Sequence, residues 1–363
     1  MSAMGATDPG VRRVSVAALA EYPDRVDVRS PAEFALDHAP GAANHPVLDD
    51  AERARIGTLY ARSPFEARKL GAALVARNIA TMLETAFMAR PRDWRPLVYC
   101  WRGGQRSRAL TQVLLEVGWR AAQLEGGYRA YRRHVVAELV RLPSRFDFVV
   151  ICGLTGSGKS RLLASLADEG GQTLDLEGIA RHRGSLLGDL PGDPQPSQKW
   201  FESQLHDALA RLDPARPVYV ESESRRIGAL QMPEALVARM HEGRRVTLVT
   251  PLAQRVTLLK EEYAHYFTAP EQLTRRLTAL TELRGKATIA RWCALVTAGD
   301  WDPLIAELLE AHYDPTYARA LERNFRLDEN TPTIELRRTS REGFDALARE
   351  LRASVETGAA VAS

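Results

Sequence analysis

Short apolar runs alternate with amphipathic stretches through the first part of the chain. Apolar runs at residues 25–28, 96–99 and 121–124 predict three short buried strands. The amphipathic stretch 105–117 predicts a helix that ends at Gly118, because glycine readily adopts the conformation that closes a helix. The same spacing predicts helices at residues 31–36, 49–60, 64–89 and 128–140. Strands that alternate with helices in this way are typical of a small doubly wound α/β sheet.

A second alternation of the same kind begins at Phe146. It predicts strands at residues 148–152, 172–176, 217–220, 245–250 and 331–336, and a helix at residues 161–167. Between residues 251 and 322 the pattern is mostly helical. Pro143 and Ser144 interrupt the preceding helix, so residues 141–145 are predicted to form a linker. We therefore predict two α/β domains, residues 1–142 and 146–363, the second with extra helices in its C-terminal part.

Composition places the chain among ordinary globular proteins, since 45% of its 363 residues are hydrophobic and 26% are charged. Its three cysteines, Cys100, Cys152 and Cys293, are too few for a disulfide scaffold or a four-cysteine zinc site. Charged residues interrupt every apolar stretch before it reaches the roughly 18 residues of a transmembrane helix. The first residues carry no apolar secretion signal. We expect a cytoplasmic protein without a membrane span.

Positive charge is concentrated in the first part of the chain. Residues 1–145 hold 22 Arg and Lys against 15 Asp and Glu, whereas residues 146–363 hold 27 against 31. A basic domain indicates, weakly, a polyanionic partner such as nucleic acid. A solvated, arginine-rich surface explains the same pattern.

A glycine-rich loop stands between a predicted strand and a predicted helix at residues 153–160 and has the complete pattern G-x-x-x-x-G-K-[ST]. Its backbone N–H groups and the helix N-terminus favour phosphate oxygens, Lys159 is expected to reach the outer phosphate, and Ser160 can ligate Mg²⁺. The predicted diphosphate-binding residues are Gly153, Thr155, Gly156, Ser157, Gly158, Lys159 and Ser160. The motif predicts a di- or triphosphate ligand and does not specify a base.

The aspartate that usually completes a nucleotide-hydrolysing site is not obvious in this sequence. Asp175 and Glu221 each come after an apolar strand pattern. Either carboxylate can support a metal ion, and either can equally be a helix cap or a surface acid. No certain metal ligand is predicted, and no tightly bound cofactor is expected.

A second glycine-containing loop begins with Cys100 at the carboxyl end of the predicted strand 96–99, where doubly wound folds place their sites. The residues that follow are Trp101, Arg102, Gly103, Gly104, Gln105, Arg106 and Ser107. Loop amides, a helix N-terminus and two arginines favour a thiolate nucleophile. Such a thiolate can carry a chalcogen as a persulfide-like group, and the spacing Cys-x5-Arg also suits a tetrahedral oxyanion. Sulfur-group transfer and phosphate-ester hydrolysis both remain open.

The order of further landmarks in the first domain resembles that of the rhodanese family. VDVRSPAEF at residues 26–34, HAPGAAN at residues 38–44, the Cys100 loop and LEGGY at residues 124–128 follow one another in that order. A rhodanese domain joined directly to a P-loop domain is similar to the bacterial tRNA 2-selenouridine synthase family. Residues 174–177, 182–185, 195–199 and 221–228 add to this resemblance.

The resemblance implies an enzyme that changes the wobble uridine of the tRNAs for lysine, glutamate and glutamine. The sulfur of 2-thiouridine is first geranylated by geranyl diphosphate, and selenium from selenophosphate then replaces the geranylthio group. Cys100 would carry the selenium, and the P-loop would hold the diphosphate of the prenyl donor without nucleotide hydrolysis. A selenophosphate-producing enzyme would be the supplier.

The resemblance also indicates polar residues that contact the substrate or support the diphosphate site. These are Asp175, Glu177, His182, Arg183, Lys199, Glu221, Glu223 and Arg225. Each has a plainer interpretation as a cap, a salt-bridge partner or a solvent-facing side chain. Trp101 can stack on the target uridine or can wedge the loop against the sheet. Trp200, Phe201 and Tyr219 can line a prenyl slot, although core packing is the favoured interpretation for all three.

Two other functions use the same signals. One is an ATP-dependent kinase fused to a rhodanese-like phosphatase, which ATP turnover or phosphotyrosine hydrolysis would favour. The other is a P-loop protein whose first domain is only a persulfide relay or docking module, which an absence of tRNA binding would favour.

Overall fold

The contacts in the computed structural model divide the chain into two compact units. The structure describes residues 10–185, 187–325, 327 and 331–357. The first unit runs up to Glu138 and includes Ser197–Asp207, and the second comprises Leu139–Pro196 and the chain from Ala208 onward. Each unit is a parallel β-sheet with helices, which confirms the predicted α/β class.

The first unit contains a five-stranded parallel sheet. Its strands are β1 (Arg13–Val14), β2 (Arg25–Asp27), β3 (Ala42–Asn44), β4 (Leu97–Tyr99) and β5 (Ala122–Leu124), in the spatial order β1-β5-β4-β2-β3. Its helices are α1 (Pro31–Leu36), α2 (Asp50–Arg62), α3 (Pro64–Met82), α4 (Gln105–Val117) and most of α5 (Gly127–Arg141), with a 3₁₀ turn at Val16–Glu21 and a π turn at Leu83–Phe87. The two edge strands, β1 and β3, are too short to leave a periodic signal, so the pattern analysis missed them.

Central strands and two helices build the core of this unit. The apolar side chains of β2 and β4 pack with those of α3 and α4, including Val26, Val98, Ile79 and Leu110. Cys100 belongs to the same cluster. The start of the cysteine loop is therefore fixed by the core.

Residues 141–145, predicted as a linker, have regular structure and are partly buried. Helix α5 continues through Arg141, and Leu142–Arg145 is a 3₁₀ helix in which Leu142 and Pro143 are buried. Proline is compatible with an early helical position, because that position needs no N–H donor. The helix α8 (Gln198–Ala210) lies within the second predicted domain, yet its residues through Asp207 group with the first unit.

The second unit contains another five-stranded parallel sheet and a small hairpin. Its strands are β6 (Phe148–Cys152), β7 (Gln172–Leu174), β8 (Val218–Glu221), β9 (Arg226–Ile227), β10 (Leu230–Gln231), β11 (Arg244–Val249) and β12 (Thr333–Glu335). The sheet order is β12-β11-β6-β8-β7, and β9 pairs with β10. The helices are α6 (Lys159–Asp168), α7 (Leu176–Ala180), α9 (Glu234–Glu242), α10 (Leu252–Glu262), α11 (His265–Thr268), α12 (Pro270–Thr278), α13 (Thr281–Arg284), α14 (Lys286–Ala298), α15 (Trp301–Leu308), α16 (Asp314–Phe325) and α17 (Arg341–Thr357), with a π turn at Leu309–Tyr313.

Three apolar clusters lie in the described part of the second unit, the smallest formed by Val256 and Leu259 of α10 with Leu309. Helices α6 and α17 pack together over the sheet, with Leu163 and Phe344 in one core. Helices α11 to α15 form a separate cluster around the fully buried Trp292. This cluster, which we call the helical lobe, accounts for the predicted extra helices. Within the described residues, no helix combines the length and apolar character needed to cross a bilayer.

Candidate functional sites

The thiol of Cys100 lies at the carboxyl end of β4, and only 3% of the residue is exposed. Its Sγ accepts a hydrogen bond from the N–H of Gly104 at 3.2 Å and another from the hydroxyl of Ser107 at 3.1 Å. Both donors stand at the start of α4, where the helix dipole also favours negative charge. The arrangement is suited to stabilising a thiolate or a chalcogen bound to it.

Gln123 orients the Ser107 hydroxyl and was not identified from the sequence. Its side-chain Nε2 donates to Ser107 Oγ at 2.7 Å and to the carbonyl of Gly104 at 3.1 Å. Because Ser107 Oγ accepts from Gln123, its own hydrogen is free to point at the sulfur. Gln123 is buried in β5, and a lone glutamine in an apolar strand pattern was the only available signal.

The turn between β5 and α5 closes over the cysteine loop and requires glycine. Gly127 has a φ of +57°, and a Cβ built there would lie 2.2 Å from the carbonyl oxygen of Cys100. That same carbonyl accepts a hydrogen bond from the N–H of Tyr128 at 2.8 Å. The backbones of two loops distant in sequence are therefore in direct contact, and no side chain fits between them.

A buried ion pair contacts Tyr128, the residue that follows this glycine turn. Arg29 donates to the carboxylate of Asp27 at 2.6 Å, and its guanidinium lies 3.9 Å from the ring centre of Tyr128. The Tyr128 hydroxyl donates to Asp37 at 2.7 Å. These residues lie within or beside the predicted rhodanese landmarks. Because the N–H of Tyr128 binds the carbonyl of Cys100, the contacts that fix Tyr128 also help to hold the thiol loop in shape.

The other side chains of the cysteine loop make their contacts with residues other than Cys100 or are exposed. Arg106 donates to Glu33 at 3.1 Å, and Arg102 and Gln105 are exposed. Trp101 is half-buried and stacks on Tyr128 of α5 with ring centres 5.2 Å apart. An arginine held in an ion pair is a poorer oxyanion cradle than the spacing Cys-x5-Arg suggested. Gly103, with a φ of +62°, provides the turn before Gly104.

The phosphate loop joins β6 to α6, and the helix begins at Lys159, two residues before the predicted start. Lys159 Nζ donates to the carbonyls of Gly153 and Leu154 at 3.0 and 3.2 Å. Gly156 has a φ of +74°, and a Cβ there would lie 2.7 Å from the side chain of Leu259. The loop therefore needs glycine for its backbone conformation and for the close approach of α10.

A buried arginine of α10, Arg255, binds the backbone of the phosphate loop. It was not identified from the sequence. Arg255 Nε donates to the carbonyl of Thr155 at 2.9 Å. The same guanidinium forms a bidentate pair with Asp314, at 3.0 and 2.5 Å. Thr250 adds a hydrogen bond from its hydroxyl to the carbonyl of Ser157 at 2.8 Å. Helices α10 and α16 thus hold the backbone that presents the loop amides.

A pocket of about 940 Å³, measured out to its open mouth, lies over the phosphate loop. Cationic side chains line it at Lys159, Arg161 and Arg183, and Ser160 adds a hydroxyl. Arg183 also lies over the ring of Tyr263, 5.1 Å from its centre. Glu177, Glu223 and Glu262 also line the pocket. Its size suits a di- or triphosphate, and the helix N-terminus and the three cations are the groups that would oppose the charge of that ligand.

Three glutamates lie together beside this pocket. Ser160 Oγ donates to Glu177 at 3.0 Å, and both carboxylate oxygens of Glu221 are buried without a hydrogen-bond partner. Burial and the neighbouring Glu223 raise the pKa of Glu177 to about 8. Burial, with Glu177 and Glu223 adding to it, raises the pKa of Glu221 well above its usual range. Burial also raises the pKa of Glu223, against the opposing charge of Lys159.

Two of the other predicted residues are engaged in local structure. Asp175 is the N-cap of α7, accepts from the N–H of Gly178 at 2.7 Å, and thereby ends β7 two residues before the predicted end. His182 is buried, which lowers its pKa, and it accepts from the N–H of Gly184 at 3.1 Å. Neither side chain lines the phosphate pocket.

Lys199 and Arg225 do not take part in the phosphate pocket either. Lys199 is an exposed residue of α8 and groups with the first unit. Arg225 is exposed, whereas Glu221 and Glu223 are buried, so the salt-bridge set considered for these three residues does not form. Spacing along the chain could not distinguish these positions from Glu177 and Arg183, which do line the pocket.

The three residues considered for a prenyl slot pack elsewhere. Trp200 stacks on His38 of the first unit with ring centres 4.0 Å apart. Tyr219 belongs to the core over the second sheet, and Phe201 is fully buried in α8. Cys152 is likewise buried in β6, and burial raises its pKa to about 12. Core packing therefore describes Phe201 and Tyr219, whereas Trp200 is half-buried and lies outside the core.

Comparison with known proteins matches a family model to each of two segments of the chain. The model of the tRNA 2-selenouridine synthase AAA domain matches residues 146–283, and that of the rhodanese-like domain matches residues 15–134. Together these two segments contain both loops described above.

Three relatives, each named tRNA 2-selenouridine synthase, show the same relationship over longer stretches. The protein from Nitrosomonas europaea is 35% identical over 70% of this chain and 67% of its own length. That from Chromohalobacter salexigens is 40% identical over 68% of this chain and 66% of its own length. That from Hydrogenovibrio crunogenus is 32% identical over 80% of this chain and 87% of its own length. Since these matches accompany an intact thiol loop and an intact phosphate loop, the chain belongs to the tRNA 2-selenouridine synthase family.

Proposed function

We propose that this protein is a tRNA 2-selenouridine synthase that converts 2-thiouridine at the wobble position to 2-selenouridine. The observation that carries the proposal is the presence, in one chain, of a thiol held by hydrogen-bond donors and a complete phosphate loop, each inside the matching family segment. The substrates would be the tRNAs for lysine, glutamate and glutamine, with geranyl diphosphate and selenophosphate as co-substrates. A selenophosphate-producing enzyme would act before it.

The first step proposed is geranylation of the thiocarbonyl sulfur. That sulfur attacks C1 of geranyl diphosphate, the S–C bond forms as the C1–O bond breaks, and diphosphate leaves with the bonding electrons. The uracil N3 proton is released to solvent, so the alkylated base is neutral. Lys159 and the loop N–H groups would oppose the charge that develops on the departing diphosphate.

The second step replaces the geranylthio group. A thiocarbonyl carbon is a poor electrophile with a poor leaving group, whereas an S-alkylated carbon can expel a thiolate. A selenide-level selenium atom attacks C2 of the base, the C2–Se bond forms as the C2–S bond breaks, and geranylthiolate leaves with the bonding electrons. The proposed role of Cys100 is to carry that selenium within the hydrogen bonds from Gly104 and Ser107.

Electron counting restricts how Cys100 can be loaded. Selenium in selenophosphate is at the selenide level, whereas a selenyl group on a cysteine sulfur is one two-electron step more oxidised. Loading therefore requires a two-electron oxidant, which a disulfide between Cys100 and an external thiol would supply. The selenium of selenophosphate would displace that thiol, water would cleave the P–Se bond to release phosphate, and a second thiol would cleave the S–Se bond after selenium has bonded to C2. The competing route requires no oxidant: the selenium of selenophosphate attacks C2 directly, geranylthiolate leaves, and water then cleaves the P–Se bond to release phosphate.

Mg²⁺ fits the donors beside the phosphate loop. No group of three His, Cys, Asp or Glu side chains in the described part of the chain is arranged to hold a metal unaided. Mg²⁺ commonly binds through one or two carboxylates together with substrate phosphates and water. Ser160 and Glu177 would be the protein ligands, with the unpartnered Glu221 nearby, and the ion would neutralise diphosphate charge.

Mass analysis of the wobble nucleoside tests the proposal. Thiolated tRNA incubated with the protein, geranyl diphosphate and selenophosphate is expected to yield S-geranyl-2-thiouridine and then 2-selenouridine. Robust ATP turnover or phosphotyrosine hydrolysis without these products would favour the kinase–phosphatase alternative. An absence of tRNA binding would favour the persulfide relay.

Cys100→Ala separates the two chemical steps. We expect this variant to form the geranylated nucleoside at a rate close to that of the unaltered protein and to lose 2-selenouridine formation by at least about 10²-fold. The nucleoside assay above measures both products. Normal selenation by Cys100→Ala would exclude the carrier role and establish the direct route.

A further inference from the structure

An apolar cavity lies inside the helical lobe, with an empty volume of about 530 Å³ measured out to its open mouth. Its walls are aliphatic and aromatic side chains of α11, α12 and α15, among them Phe267, Leu273, Trp301, Leu304 and Leu308. Leu273, Leu304 and Leu308 are all buried, with Leu304 fully enclosed.

The mouth of this cavity adjoins the phosphate pocket. Four residues line both spaces: Thr155, Ser185, Leu259 and Tyr263. Thr155 belongs to the phosphate loop, and Leu259 is the side chain that approaches Gly156. A ligand whose phosphates lie on the loop can therefore extend directly into the lobe.

Three tyrosine and serine hydroxyl groups of the cavity wall have a polar neighbour, whereas the hydroxyl of Thr155, on the side shared with the phosphate loop, is buried without a partner. The hydroxyl groups of Ser185 and Tyr263 are 3.2 Å apart, and the Tyr266 hydroxyl donates to the carbonyl of Leu187 at 3.4 Å. The rings of Phe267 and Trp301 pack together with centres 4.5 Å apart. A nucleoside base would bury several donors and acceptors against these apolar walls at a cost, whereas a hydrocarbon chain would not.

We propose that the helical lobe binds the hydrocarbon chain of the diphosphate donor, with Leu304 and Trp301 setting the length of chain that fits. The proposal rests on the proposed function, because it assigns a binding site to the hydrocarbon tail of the geranyl diphosphate used there. It assigns the recognition of the donor to two adjoining surfaces, a charged one for the diphosphate and an apolar one for the tail. The fit favours prenyl diphosphates over nucleotides.

The binding of ligands that share a diphosphate but differ in their tail tests this division. Calorimetry with inorganic diphosphate, dimethylallyl diphosphate, geranyl diphosphate and farnesyl diphosphate compares them on the whole protein. Burying a methylene group contributes about 0.8 kcal/mol, or roughly fourfold in affinity. We expect geranyl diphosphate to bind at least about 100-fold more tightly than inorganic diphosphate, after the cost of ordering the chain.

Variants of the cavity wall distinguish binding of the hydrocarbon tail from binding of the diphosphate group. Leu304→Phe fills the cavity and is expected to weaken geranyl diphosphate at least about tenfold while leaving inorganic diphosphate within about twofold. Leu304→Met, of nearly the same volume, is the matched control and should bind both ligands normally. Trp301→Ala, at a half-buried position, enlarges the cavity and should shift the preference towards farnesyl diphosphate.

The outcomes distinguish this inference from the proposed function. Geranyl transfer to tRNA that is insensitive to both Leu304→Phe and Trp301→Ala would overturn the tail site and leave the function standing. A tail-dependent affinity that responds to both variants, without any transfer to tRNA, would support the site and reject the function. If Leu304→Phe fails to fold, an unchanged chain-length preference in Trp301→Ala overturns the inference.

Discussion

The hydroxyl group of Ser107 links the sulfur of Cys100 to Gln123 of β5. Ser107 receives a hydrogen bond from Gln123 and donates one to Sγ at 3.1 Å. A hydrogen bond to the charged form of a group favours that form. The reactivity of this thiol is therefore expected to depend on Ser107 as well as on the backbone amide of Gly104.

Ser107→Ala should slow the alkylation of Cys100 at pH 7. Loss of one hydrogen bond of about 1 kcal/mol predicts a rate roughly five times lower. Site-resolved mass spectrometry after timed iodoacetamide treatment measures the rate, and Cys293 in the same sample serves as an internal reference. An unchanged ratio between the two cysteines would show that Ser107 does not act on the sulfur.

The buried glutamates predict a pH dependence of stability. Burial holds the pKa of Glu221 well above its usual 4.5, so the folded protein binds more protons than the unfolded chain above that pH. The free energy of unfolding is therefore expected to fall as the pH rises from about 5 to 8. A cation or a ligand's positive charge beside Glu221 would reduce this loss.

Glu221→Gln should reduce the fall in the free energy of unfolding that occurs as the pH rises. We expect the variant to match the unaltered protein near pH 4.5 and to be more stable by about 1–3 kcal/mol at pH 8. Calorimetric unfolding at several pH values in the presence of a chelator measures this, with Glu116→Gln on the exposed surface of α4 as the control. Parallel curves for Glu221→Gln and the unaltered protein would contradict the prediction.

Two helices outside the motif hold the phosphate loop in place. Arg255 of α10 donates to the carbonyl of Thr155, and its guanidinium pairs with Asp314 at the start of α16. A loop whose amides must converge on phosphate oxygens depends on a fixed backbone. The packing of α10 and α16 is thus a condition for binding, although neither helix belongs to the motif.

Arg255→Met should weaken both folding and diphosphate binding. We expect a loss of about 2–4 kcal/mol in the free energy of unfolding, because Asp314 loses its partner. We also expect at least a tenfold loss of affinity for inorganic diphosphate in calorimetry. Arg239→Met is the matched control, since Arg239 also donates to a carbonyl, that of Phe146, which precedes the end of β6 opposite to the phosphate loop. Equal diphosphate affinity in both variants would refute the anchoring role.

Charge is distributed unevenly over the whole molecule, and this matters for the proposed RNA substrate. The excess of Arg and Lys lies in residues 1–145, which include the thiol loop. Phosphate contacts release counterions, so binding through them weakens steeply with salt.

The affinity of the full protein for tRNA should therefore fall by about 10³-fold or more between 50 and 200 mM salt, if six or more phosphates are contacted. A filter-binding series at fixed pH measures the slope. An affinity that is independent of salt would mean that the basic surface does not contact the RNA.

Local patterns were enough to predict the central elements and the two loops. The strand β6 and the helix α4 have the bounds that hydrophobic spacing predicted. The glycines of both loops were also evident, because the conformation of a glycine turn depends mainly on its nearest neighbours in the chain. A Pro and Ser pattern is compatible with more than one local structure, and residues 141–145, predicted as a linker, include the 3₁₀ helix Leu142–Arg145.

Long-range packing decided the remaining features. Gln123 lies 16 residues from Ser107, and Arg255 lies 100 residues from Thr155, so no local pattern connects the members of either pair. The apolar cavity likewise arises where α11, α12 and α15 leave space beside the phosphate loop. The sequence alone therefore specified which chemical groups are present and the local turns that display them. Their partners, their burial and the space beside them emerged only when distant segments packed together, because those energies depend on contacts that no short stretch of chain contains.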